Sequence, residues 1–188
     1  MWRIKELFEK ISEVPDEDWA FFMTRVEKKT FSKKAAIIKK GEIENYITYI
    51  EKGSMRYYIP KETDDITFGF RHQDQFSSAY DSFVTRRPSK YTIEAMEDCI
   101  LWCVDYHSLQ QVYDRTRVGN TIGRLIAEHN LVLKWNRELS FLDQSAEERY
   151  LDIFNNRPEL IQKVPLKYLA SYIGVTPQAL SRIRKRIS

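Results

Sequence analysis

Gly174 is the residue that most constrains what this chain can fold into. On its N-terminal side Leu166, Leu169, Ala170 and Ile173 recur at helical spacing, and on its C-terminal side Leu180, Ile183 and Ile187 do the same. A glycine between two apolar stripes marks a break, because it accepts backbone angles that a residue with a Cβ avoids. Thr176 and Pro177 then read as a helix start. The threonine hydroxyl can take a free backbone N–H, and proline suits the first helical position. The face of the second helix opposite its apolar stripe carries Gln178, Ser181, Arg182 and Lys185. Residues 164–188 are therefore predicted to form a helix-turn-helix whose polar face has the chemistry to read DNA.

The charge distribution points the same way. From Leu160 to Ser188 there is no Asp or Glu, while Lys163, Lys167, Arg182, Arg184, Lys185 and Arg186 are basic. Of the 30 basic and 27 acidic residues, 24 basic and all 27 acidic ones lie before that stretch, so the positive charge is concentrated at one end. Contact with phosphates requires such a concentration.

The 188 residues suit one large domain or two modest ones, and 43% hydrophobic content supplies a core. No run of 18 apolar residues offers a membrane span, and residues 1–10 lack the apolar centre of a secretory signal, so a cytoplasmic protein is expected. Cys99 and Cys103, the only cysteines, fall in an apolar run and read as buried structural thiols. Two cysteines cannot form a four-thiolate centre alone, and His72, His107 and His129 show no ligand spacing. No metal, cofactor or catalytic residue is expected, and no nucleophile stands beside a base. The chain is not read as an enzyme.

Residues 2–27 read as helical, with a break at Val14–Pro15. From Lys29 to about Asp105 the period changes to two. Met55, Tyr57 and Ile59, then Ile66, Phe68 and Phe70, then Tyr91, Ile93 and Ala95, then Ile100, Trp102 and Val104 alternate with other residues. Short strands at this spacing predict an antiparallel sandwich or barrel. Arg71 to Ser89 interrupts it without clear period and is read as a functional loop. From about Arg117 to Leu142 the period is helical again. Val118, Ile122, Leu125, His129, Val132, Asn136 and Leu139 form a heptad seam about 33 Å long, and Ile126, Leu133 and Trp135 lie beside it. Two stripes call for two partners, the chain's own β domain and the same helix of a second copy. Ser145 to Glu148 has the form of a capping box opening another helix, with a candidate hinge at Gln144.

Helices, a β domain, a heptad helix and a helix-turn-helix in this order resemble the Crp/Fnr superfamily of bacterial transcription regulators along essentially the whole chain. The residues carrying the resemblance are Gly41, Tyr49 to Gly53 leading into Arg56–Tyr57–Tyr58, Arg149–Tyr150, and above all Leu169 to Thr176 leading into Leu180 to Ile183. The resemblance implies an α+β fold. It consists of an N-terminal antiparallel β-roll, jelly-roll-like, with flanking helices (1–115), a long dimerisation helix (116–142) and a C-terminal helix-turn-helix domain (143–188). It implies a homodimer on a palindromic DNA site, with RNA polymerase and an unidentified small-molecule effector as further partners. By position Pro177, Gln178 and Arg182 fall where the family reads bases, and Lys167, Thr176, Ser181 and Lys185 complete the DNA face.

The family's founding members bind cyclic AMP through a Gly-Glu pair and an Arg-Ser pair. Here Ser78–Ala79 and Ser89–Lys90 stand at those places, with Tyr80 and Tyr91 beside them as the remaining candidate pocket residues. The ribose carboxylate and the phosphate arginine are missing, and a nearby lysine does not replace a bidentate guanidinium. Control by cyclic AMP is therefore not expected. The alternative is a cyclic-nucleotide or other small-molecule sensor with DNA binding secondary. The sequence also ends at Ser188, before the β wing many members carry. The footprint is then expected to lean on the helix-turn-helix with Lys163, Lys167, Arg184, Lys185 and Arg186.

Overall fold

The computed structural model describes residues 2–187. Helices α1 (Trp2–Glu9) and α2 (Asp16–Met23) precede strands β1 (Val26–Phe31), β2 (Ala36–Ile38), β3 (Tyr46–Lys52), β4 (Ser54–Ile59), β5 (Ile66–His72) and β6 (Phe76–Ser77). Helix α3 (Tyr80–Thr85), strands β7 (Thr92–Ala95) and β8 (Cys99–Asp105), and helices α4 (Tyr106–Arg115), α5 (Gly119–Asp143), α6 (Ala146–Asn156), α7 (Pro158–Lys163), α8 (Leu166–Ile173) and α9 (Pro177–Ile187) follow. The chain divides into two compact units. The first comprises residues 1–57 and 70–129, and the second residues 58–69 and 130–188.

The strands form two four-stranded sheets, ordered β1-β8-β3-β6 and β2-β7-β4-β5. In the first, β8 is paired antiparallel on both sides, with Val26 opposite Val104 and Thr48 opposite Cys103. Along β8, Cys99, Leu101 and Cys103 are buried on one face, and on the other Val104 is buried while Ile100 and Trp102 are half-buried. Trp102 faces the other way and packs on a cluster of Ile4, Phe8, Val14, Tyr49 and Ile122. With apolar cover on both faces, either alternation looks inward when read from the residues alone. Burial pushes the Cys99 thiol up to about 11 and Cys103 up to about 12, so neither is a ready thiolate.

Two sequence boundaries move. The second helix stops at Met23 and Val26 already belongs to β1, paired with Val104. The Arg71–Ser89 segment is not a loop throughout, since it holds the end of β5, all of β6 and α3. Gly53 turns β3 into β4 at φ +103°, with Cys99 Sγ 2.6 Å from where its Cβ would be. A side chain is barred there twice, by backbone angle and by space.

Helix α5 starts on two caps. The buried Asp18 carboxylate accepts the Arg117 and Val118 N–H groups at 2.8 and 3.2 Å, and the Thr116 hydroxyl accepts the Gly119 N–H at 3.0 Å. Gly123 lets the Tyr113 ring lie against the helix, because a Cβ there would meet that ring at 2.6 Å. Gly123 thus serves packing, although glycine lowers helix propensity.

In the second unit the capping box at Ser145 and Glu148 forms as expected. A further helix, α7, follows α6 after one residue, with Pro158 at its first position, where a missing N–H costs nothing. Tyr150, Ile153, Leu160, Val164, Leu169, Ala170, Tyr172, Ile173, Leu180 and Ile183 are the buried residues of the helices α6 to α9 and their connections. The unit also includes the tip of the β4–β5 hairpin. Ser171 Oγ accepts the Thr67 N–H at 2.9 Å and donates to the Asp65 carbonyl at 3.1 Å.

Candidate functional site

Gly174 adopts the left-handed conformation, φ 80° and ψ 32°, and ends α8. The Val175 N–H closes back on the Ala170 carbonyl at 3.0 Å, the bond that terminates a helix through a left-handed glycine. Thr176 then caps α9, its hydroxyl accepting the Ala179 N–H at 3.2 Å, and Pro177 is the first helical residue. Leu180 and Ile183 are buried beneath α9. With that face inward, Thr176, Pro177, Gln178, Arg182 and Lys185 are exposed and Ser181 is half-buried. Lys167 on α8 is also exposed, its ammonium 5.0 Å from the centre of the Tyr168 ring. The seven predicted residues lie on two helices joined by a short turn. Arg186, by contrast, is paired with Glu147 at 2.7 Å across to α6, so it is less available to a phosphate than its sequence position implies.

The seam residues separate into two groups. Ile122 is buried, and Val118 and Ile126 pack with it on the Tyr49 and Phe8 cluster of the first unit. These positions are occupied by the chain's own core. Leu125 is half-buried, while His129, Val132, Asn136 and Leu139 are exposed. Around the latter, Leu131, Leu133, Trp135 and Leu142 are exposed as well, Leu142 at 81%. So dense a cluster of large apolar side chains in water exceeds what isolated surface residues account for.

The cassette region is closed by its own hydrogen bonds. Ala79 and Ser89 are buried, Tyr80 and Lys90 exposed, and Ser78 and Tyr91 half-buried. The Ser78 hydroxyl donates to the Tyr46 carbonyl at 3.0 Å, the Ser89 hydroxyl to the Tyr91 carbonyl at 2.8 Å, and the Tyr91 hydroxyl to Asp81 at 2.7 Å. One participant escaped the sequence reading. Glu44, on the loop before β3, is buried and its carboxylate accepts the N–H groups of Tyr46 at 3.0 Å and Ala79 at 3.2 Å. Arg86 donates to the Glu44 carbonyl at 2.7 Å and to Asn45 at 2.6 Å. Burial raises the Glu44 pKa, and the backbone N–H bonds and Arg86 pull the other way without cancelling it. A single acid in a loop carries no periodic signal, so only the fold reveals that it stands on the Ala79 N–H.

No helix among the described residues is long and apolar enough to cross a membrane, and no group of three or more His, Cys, Asp or Glu among them could hold a metal. Residues 28–116 match the family model of the cyclic nucleotide-binding domain. No curated protein matches the chain by sequence. Three solved structures are similar in fold. FixK2 from Bradyrhizobium japonicum has a TM-score of 0.71 at 15% identity, covering 86% of this chain and 84% of its own. A CooA double mutant from Carboxydothermus hydrogenoformans has a TM-score of 0.69 at 16% identity, covering 88% and 77%. A protein described as a transcriptional regulator of the crp/fnr family from Eubacterium rectale has a TM-score of 0.70 at 13% identity, covering 93% and 83%. Residues 28–116 thus resemble a cyclic nucleotide-binding domain, and the chain shares an α+β fold with these solved structures.

Proposed function

We propose that this protein is a homodimeric, sequence-specific DNA-binding transcription regulator of the Crp/Fnr type that cyclic AMP does not control. The observation that carries the reading is the face of α9. Pro177, Gln178, Arg182 and Lys185 are exposed together on a capped helix, next to a surface without a single acid from Leu160 onward. A guanidinium can pair bidentately with guanine and a carboxamide with adenine in the major groove, so Arg182 and Gln178 are the specificity residues. Lys167 and Lys185 contact phosphates, and Thr176 and Ser181 frame the helix on the backbone. Two copies joined along α5 at Val132, Asn136 and Leu139 would present α9 to successive major grooves about 34 Å apart.

Absence of cyclic AMP control is supported by the closed cassette. The Ala79 N–H is held by Glu44 rather than left to a ligand, and a nucleotide phosphate would meet that carboxylate. The sensor reading, with DNA binding secondary, rests on the domain match at residues 28–116. Calorimetry with cyclic AMP and cyclic GMP separates the two. No heat at micromolar nucleotide is expected, and saturable heat would favour the sensor. Selection of bound DNA from a random pool tests the main reading. Enrichment of a palindrome is expected, and failure of any sequence to enrich would sink it.

A further inference from the structure

Within the second unit, the end of α5 and the helix-turn-helix are joined by more than the intervening chain. Arg149 on α6 donates from Nε to the Ile173 carbonyl at 2.9 Å and from Nη1 to the Gln144 carbonyl, with the Ser140 carbonyl at 3.5 Å. Arg137 on α5 donates to the Tyr172 carbonyl at 2.8 Å, and its guanidinium lies 3.8 Å from the centre of the Tyr172 ring. The Phe141 ring stands between the two cations, 4.7 Å from Arg137 and 4.5 Å from Arg149. Its edge is also what a Cβ on Gly174 would meet, at 2.9 Å.

The chemistry of these contacts is specific. Tyr172 and Ile173 are the last residues of α8, so their carbonyls lack donors inside the helix and lie at the negative end of its dipole. Gln144 lies just past the end of α5, so its carbonyl likewise lacks a helical donor, whereas the Ser140 carbonyl already accepts the Gln144 N–H. One guanidinium has donors enough to serve both helix ends in a fixed plane, and its faces stack on rings. Burial, with Arg149 and Arg157 nearby, lowers the Arg137 pKa, and Tyr172 acts in the opposite direction. Gln144, where the sequence suggested a hinge, is held on its carbonyl by Arg149 and bonded through its own N–H to Ser140 at 3.1 Å.

We infer that Arg137 and Arg149 are positioning residues for DNA reading: they make the part of α5 from Asn130 onward and the helix-turn-helix a single rigid body, with no hinge at Gln144. The inference rests on the proposed function. In a dimer joined along α5, the separation of the two α9 helices is then dictated by the helix pair. Once one half-site is bound, a stiff connection keeps the second at high effective concentration only if the spacing matches, whereas a loose one tolerates several spacings.

The test uses the full chain with spin labels on Lys134→Cys and Lys185→Cys, diluted with unlabelled chain so that distances within one chain dominate. The parent should give one narrow distance distribution, and Arg149→Lys, which keeps the charge but not the fork, should broaden or split it. Arg137→Lys serves as a second variant should the first fail to fold. On DNA, the parent should prefer the selected half-site spacing over one base pair longer by about tenfold, and the variants by about twofold or less, with half-site affinity unchanged. A broad distribution in the parent, or variants that keep both the narrow distribution and the spacing preference, would overturn the inference. A parent that binds no DNA refutes the regulator reading, while the distance measurement still decides the joint.

Discussion

Phe141 and Gly174 touch across the second unit: a methyl group on Gly174 would stand 2.9 Å from the Phe141 Cε1. Gly174 also has φ 80°, so two independent reasons require glycine at the turn. Gly174→Ala is expected to destabilise the protein by about 1–2 kcal/mol for the left-handed angle, plus the cost of displacing the ring. Thermal melting of Gly174→Ala, Phe141→Leu and the double variant checks this. The double variant should be more stable than the sum of the singles implies, because trimming the ring relieves the contact but not the backbone.

The two ends of the seam should respond differently to substitution. Ile122 is buried against Tyr49 and Phe8, so Ile122→Ala is expected to cost about 2–5 kcal/mol of stability without specifically dissociating a dimer. Leu139 is half-exposed at 53%, so Leu139→Asp should leave the melting of the monomer nearly unchanged while shifting the protein from dimer to monomer in sedimentation. A dimer that survives Leu139→Asp intact would place the interface elsewhere.

On the DNA face, Arg182→Ala is expected to cost about 1–3 kcal/mol and to relax a single base position. Lys185→Ala should weaken all sequences alike and reduce the salt slope by about one counterion. Fluorescence titrations at several salt concentrations distinguish them. Unchanged affinity of Arg182→Ala for the selected site would refute its role.

Acid should act in opposite directions at two carboxylates. Asp105 caps α4 by accepting the Ser108 N–H at 3.0 Å. Burial would raise its pKa, but the hydrogen bonds to Ser108 and His107 outweigh that and lower it. Its contribution to stability is therefore present above its unfolded value and is lost as pH falls through the lower folded value. Glu44 is raised instead, chiefly by burial, so its contribution is complete below its unfolded value and is lost as pH rises through the folded one. Asp105→Asn should flatten the acid limb of a stability–pH curve, and Glu44→Gln should remove a decline as pH rises above the ordinary carboxylate range. A Glu44→Gln curve parallel to the parent's would show that Glu44 titrates normally.

Glu44 itself shows where the sequence stops being legible. The polar face of α9 was readable because its evidence is local: a break glycine, a cap, and side chains three and four residues apart share one helix face whatever else the chain does. The heptad pattern of α5 was equally readable, but its period does not say which partner covers which turn. Ile122 and Leu139 lie on the same seam, yet one is inside the core and the other is in water.

The amino-acid order alone therefore determined the helix-turn-helix, the alternating strands, the long helix and the basic end of the chain, because each depends on neighbours within a few residues. Only the tertiary structure decided that Glu44 holds the Ala79 N–H, that Ser171 bonds the hairpin tip, and that Arg137 and Arg149 grip the end of α8. Each of those contacts satisfies a polar backbone group with a side chain from a distant part of the chain. Such pairings follow from where the fold leaves a carbonyl or an N–H without a partner, which no spacing in the sequence records.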